Sequence, residues 1–173
     1  MERNIHVIGV DPGGTTGWAR MTVPRLSLFG DQGGEVIEWE YGEFSGSEYK
    51  QAGALARLAR ETQSLAYKIG PAIVVEDWDI EPVNRTTDPS SLSPVRIGAM
   101  LVYAQACGHL SDARVLFQGR TLAKGHMTDE RLKEAGFYVK GSDHVRDATR
   151  HALTFLRRAK HDRELRESAW NCK

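Results

Sequence analysis

The residues AIVVED (72–77) run apolar without a break from Ala72 to Val75 and then end on two acids. A half-solvated strand would alternate apolar with polar; a continuous run needs cover on both faces, as in a parallel sheet between two helical layers. Such a strand cannot exist without partners, so it constrains the whole chain. Gly70 and Pro71 punctuate it in front. Upstream, KQAGALARLARETQSLAYKI (50–69) places Leu55, Leu58, Thr62, Leu65, Ala66 and Ile69 at helical spacing. Downstream, SPVRIGAMLVYAQACG (93–108) reads as a helix with a serine cap, proline in its first turn and glycine at its end.

Three strands precede this unit. IHVIGVD (5–11) is rich in β-branched residues, and GWARMTV (17–23) reads as its hairpin partner across the turn DPGGTT. GEVIEWEYGEF (34–44) alternates as a third strand after the loop 24–34. Beyond the polar loop 80–91, RVLFQG (114–119) is a short strand and MTDERLKEAGF (127–137) holds a short helix. The last strong helix starts near 142–144 and runs to about 160. A three-strand meander followed by helix–strand–helix–strand–helix predicts an α/β fold: a mixed five-stranded sheet with helices on both faces. Residues 1–160 form its domain, and 161–173 are expected as a tail.

The 173 residues are 40% hydrophobic and 27% charged, ordinary for a globular chain. No apolar run approaches the roughly 20 residues that span a bilayer, and no secretory pattern precedes the first strand. Cys107 and Cys172 give neither metal spacing nor a disulfide framework. The expected setting is reduced and cytoplasmic, without a membrane partner. The net charge of zero argues against a wholesale electrostatic nucleic-acid binder, yet acid gathers in EDWDIE (76–81) and base in VRDATRHALTFLRRAKHDR (145–163).

Asp11 and Glu76 stand at the ends of strands whose carboxyl ends share one rim, where ligands usually sit. Asp77, one residue on, points to the opposite face. In the last helix, His144, Asp147 and His151 lie at i, i+3 and i+7, on one stripe. Each feature has a plain reading: Asp-Pro-Gly-Gly is good turn chemistry, and Asp147 is within reach of surface arginines. Together they point to a metal site. Two carboxylates 4 Å apart repel by about 4 kcal/mol at an effective dielectric of 20, and Mg2+ or Mn2+ would remove that repulsion. A pair of ions roughly 3.5–4 Å apart can activate water and stabilise a leaving oxygen in phosphodiester cleavage. Asp11, Glu76 and Asp147 are the expected ligands, with His144 a fourth ligand or a proton relay. Arg120, Lys124, His126, Arg146, Arg150, Arg157 and Lys160 are candidates for phosphate contact. Trp18 and Trp78 flank the acids, as stacking platforms or as packing. Gly98 and Ala99 suit close helix packing.

GVDPGGTTGWA, VVED and HVRDATRHAL resemble, in order, the first-strand, second acidic strand-end and C-terminal helix motifs of RuvC-like Holliday-junction resolvases. His144 and Asp147 match the last two positions of that set, and residues 123–153 are similar to phage-encoded members. The resemblance implies an RNase H-like fold. It further implies a homodimeric endonuclease with two Mg2+ per active site, Mn2+ substituting, and branched DNA as substrate. Four-way junctions head that class, with forks and flaps beside them, nicked symmetrically to leave 5′-phosphate and 3′-hydroxyl ends. TTDPSS (86–91) does not reproduce the aromatic junction-opening element of well-known bacterial members. Three rivals remain: a nuclease of the same fold acting on flaps, replication forks or RNA–DNA hybrids, a non-catalytic module binding branched DNA, and an actin-like phosphotransferase reading DPGGT (11–15) as a phosphate loop. The last of these folds duplicates its domain, and the sequence holds no second copy.

Overall fold

The computed structural model describes residues 4–25, 35–63, 69–78 and 92–170; most of the expected loop 24–34 and all of 80–91, including TTDPSS, lie outside these. Five strands form the sheet: β1 (Asn4–Asp11), β2 (Thr15–Pro24), β3 (Glu38–Ser45), β4 (Ala72–Asp77) and β5 (Arg114–Gly119). Their order is β3-β2-β1-β4-β5. β1 pairs antiparallel with β2, and β2 with β3, while β1–β4 and β4–β5 are parallel. This is the mixed sheet that the meander and crossovers predict.

Helices cover both faces. The first lies on α1 (Glu48–Thr62) and α2 (Ser93–Ala106), where Ile8, Val10, Ile73 and Val75 pack on Leu55, Ala59, Ile97 and Leu101. The second face carries α5 (Asp143–His161) and α6 (Arg163–Trp170). There Ile5, Val7, Met21, Ala72 and Val74 meet Ala152, Phe155, Ala159 and Trp170. Successive residues of β1 and β4 thus divide between two cores, which is why AIVVED carries no alternation. Short helices α3 (Arg120–His126) and α4 (Asp129–Glu134) bridge β5 to α5.

Several expectations are corrected. Ser93 does not cap α2: it is the helix's first residue, and its hydroxyl donates to Glu48 Oε1 at 3.0 Å. α1 stops at Thr62 rather than 69, with 64–68 outside the described residues. RTLAKGH (120–126), to which the sequence patterns assign no element, is helical. The stretch expected as a tail carries α6, whose Ala169 and Trp170 join the second core; the Trp170 indole also donates to the His6 carbonyl at 3.2 Å.

Candidate active site

β1 and β4 run parallel as far as the pair Val10–Val75, one residue short of Asp11 and Glu76. By alternation Asp11 follows Val7 and Gly9, and Glu76 follows Ala72 and Val74, so both acids leave the sheet on its α5 face. Asp77 falls on the other side and is exposed. The choice of Glu76 over Asp77 is therefore a consequence of strand parity.

Two glycines bring α5 onto this rim. A Cβ at Gly9 would overlap the Ala148 carbonyl and come within 2.9 Å of the Ala152 nitrogen; one at Gly17 would overlap the His144 carbonyl. Asp11 pairs with Gly17 across the β1–β2 ladder, so the helix lies against the backbone beside the acid. Ser142 caps α5, accepting from the Val145 amide at 3.0 Å. His144 thereby occupies the first turn, at the rim. The turn after Asp11 is braced from α1, where the buried Gln51 amide nitrogen lies 3.2 Å from the Gly14 carbonyl and 2.8 Å from that of Gly46. Gln51 was invisible in the sequence, sitting in the helix's apolar stripe with no motif around it.

Asp11, Glu76, His144 and Asp147 line one cavity of about 410 Å³, with Trp78, Pro94 and Arg120 on its walls. His144 Nδ1 lies 2.7 Å from Asp11 Oδ2. Lys124 Nζ is 3.0 Å from Asp147 Oδ2 and Arg120 Nε 3.8 Å from Glu76 Oε1. Burial first, and then the charge of Glu76, push the Asp11 carboxyl up to about 6, against the opposing hydrogen bond from His144. Among the described residues no three Asp, Glu, His or Cys side chains converge as a ready metal cage. Each acid instead turns to a basic neighbour: Asp11 to His144, Glu76 to His151, Asp147 to Lys124 and Arg150. The donor chemistry, three carboxylates and an imidazole around one cavity, nonetheless suits a hard divalent cation.

The remaining predicted residues divide. Arg150 pairs with Asp147 and Asp129 and donates to the Met127 carbonyl at 2.9 Å; Arg146 pairs with Asp143, donates to the Val139 carbonyl at 2.9 Å and lies over the Tyr138 ring. Both are largely buried and tie α5 to the segments before it. Arg157 is exposed and Lys160 partly so; at 1.5 Å per residue they stand about 15 and 20 Å along α5 from Asp147. His126 closes α3 and is half-buried. Trp18 points away from the acids, one residue out of phase with Gly17, and stacks on Phe44 at 5.7 Å. Trp78 lines the cavity. Gly98 of α2 lies against the Phe117 ring, while Ala99 is exposed. His151, which the sequence placed on the His144 stripe without a role, is fully buried against Glu76 and Gln118.

No protein-family model and no curated protein matches the chain. Among solved structures, Thermus thermophilus RuvC in complex with a Holliday junction substrate superposes with a TM-score of 0.59 at 17% identity, over 91% of this chain and 96% of that one. A second Thermus thermophilus RuvC structure gives 0.57 at 20% identity, over 96% and 99%. At this level of identity the likeness is one of architecture, and the architecture is the RNase H-like fold of RuvC.

Proposed function

We propose that this chain is a divalent-metal-dependent endonuclease that cuts branched DNA, four-way junctions foremost, by hydrolysing phosphodiesters in paired nicks. The observation that carries the reading is the single cavity lined by Asp11, Glu76, His144 and Asp147 at the carboxyl ends of β1 and β4. Its likeness in fold to a protein solved with a Holliday junction supports the substrate class.

Asp11, Glu76 and Asp147 would hold the ions, Mg2+ or Mn2+, with His144 as fourth ligand or proton carrier. When bound, such a pair supplies an activated water and a counter-charge for the leaving oxygen. The chain's own part is placement. Strand ends fix Asp11 and Glu76, and the helix held by Gly9 and Gly17 fixes His144 and Asp147. Arg120 on the cavity wall and Lys124 against Asp147, both substantially exposed, would exchange their carboxylate partners for DNA phosphate. Paired nicks need two sites, hence a homodimer. The exposed α2 face of Val95, Ala99, Val102 and Tyr103 is apolar, and the helix's single charge, Arg96, is drawn to Glu48 at 3.1 Å; this is the surface a second copy would bury. The similarity of residues 123–153 to phage-encoded resolvases supports a phage member acting in the bacterial cytoplasm.

The deciding experiment compares labelled four-way junction, fork and duplex at equal concentration in Mg2+, Mn2+ or EDTA, beside Asp11→Asn. Paired symmetrical cuts in the junction, absent in EDTA and in the variant, establish the resolvase. Cutting of forks as well broadens it to a branch nuclease. Tight junction binding without cutting, consistent with acids committed to basic partners, would make it a binding module.

A further inference from the structure

We propose that His151 and Gln118, neither of which lines the cavity, are positioning residues that aim Glu76 at a cation. The inference rests on the metal reading of the site given above.

The hydrogen bonds along this buried chain run in one direction. Gln118 pairs with Glu76 across the β4–β5 ladder and so shares its face. Its Nε2 lies 3.2 Å from the His151 backbone carbonyl and 3.1 Å from His151 Nδ1. A carbonyl only accepts, so the amide atom facing it must be the NH2 group, whose second hydrogen is then directed at Nδ1. Nδ1 accepts, and the ring is neutral with its proton on Nε2. That N–H donates to Glu76 Oε2 at 3.0 Å. Every link is buried: His151 is 1% and Gln118 3% exposed. Gln118 Oε1 has no partner among the described residues, so the amide is held by its two donated bonds alone.

The consequence is specific. A donor whose own ring is held by Gln118 orients the carboxylate through Oε2. With Oε2 engaged, Oε1 is the oxygen free of His151. Outer-layer hydrogen bonds of this type commonly change metal affinity by roughly 10–100-fold.

The test uses the full-length protein and MnCl2 as probe, with Mn2+ affinity read by titration calorimetry and folding by circular dichroism. Glu76→Gln serves as the control for the site. We expect His151→Leu to weaken Mn2+ binding roughly tenfold or more, and His151→Gln, whose amide N–H can stand where Nε2–H stood, to recover most of it. Gln118→Met should weaken binding in the same direction, since it frees the histidine to adopt the other tautomer. Long-range 1H–15N spectra of the metal-free protein should show His151 as the Nε2–H form. An Nδ1–H form overturns the inference, as does wild-type affinity in folded His151→Leu and Gln118→Met, or a folded His151→Gln with no recovery. If His151→Leu does not fold, Gln118→Met and the tautomer decide. If the wild-type chain binds no Mn2+, the metal reading itself fails and the positioning role falls with it.

Discussion

Asp11 shows how a single side chain can be costly to the fold and still be retained. Its carboxyl sits at about 6 instead of the ordinary 3.8. Between those values the folded chain keeps a proton that the unfolded chain has released, so stability falls as pH rises through that window. Above it the full difference persists, on the order of 3 kcal/mol for about two pH units. Asp11→Asn keeps an oxygen to accept from His144 but carries no charge. In EDTA at pH 7.5 the variant should therefore melt several degrees above wild type, and the two should converge near pH 4. Adding Mg2+ should raise the wild-type melting temperature and leave the variant's unchanged. A variant that melts below wild type at pH 7.5 would show that burying a charge beside Glu76 is not the cost Asp11 carries. The position of Asp11 at a strand end was readable in GVDPGG; its energetic state was not, because burial and the distance to Glu76 exist only in the folded chain.

The element that assembles the site is α5, and its seat is a pair of glycines. Gly9→Ala would drive a methyl into the Ala148 carbonyl, where backbone on both sides leaves nothing flexible to yield. Overpacking of this kind costs about 1–3 kcal/mol or more and would lift His144 and Asp147 off the rim. Gly53 in α1 has open space around its Cα, so Gly53→Ala should instead stabilise by about 0.5–1 kcal/mol through helix propensity. Thermal melts and junction cleavage of both variants check the contrast: Gly9→Ala loses both stability and activity, Gly53→Ala neither. At this scale the sequence was informative wherever periodicity was strong. β1, β4, β5 and α5 all lie where their patterns predict. It failed for RTLAKGH, too short and too polar for an apolar stripe, and for α6, whose burial depends on Trp170 reaching a core built from β1 and α5. The two glycines were visible as letters, but only the docked helix explains why a side chain is forbidden there.

Across the whole molecule 23 basic residues balance 23 acidic ones, so the DNA binding proposed above would rest on local placement of charge and not on net charge. The structure divides the basic candidates by burial: Arg146 and Arg150 are spent on Asp129, Asp143 and Asp147, while Arg120 stands exposed on the cavity wall and Lys124 exposed against Asp147. Spacing along a helix shows which residues share a face, but not which carboxylate from another segment will meet them. A measurable difference follows. With Ca2+ present to block turnover, junction affinity should fall steeply with salt, and each phosphate contact removed should flatten the plot of log K against log salt by about 0.9. Arg120→Ala and Lys124→Ala should each do so while leaving the melting temperature within a degree or two. Arg150→Ala should do the reverse, lowering the melting temperature because it strands Asp147 and Asp129 without their shared partner, while the salt slope of the folded fraction stays put. If Arg150→Ala flattens the slope and Arg120→Ala does not, the arginine seen holding α5 in place lets go of its carboxylates to meet DNA, and the phosphate path runs along the helix instead of across the cavity mouth.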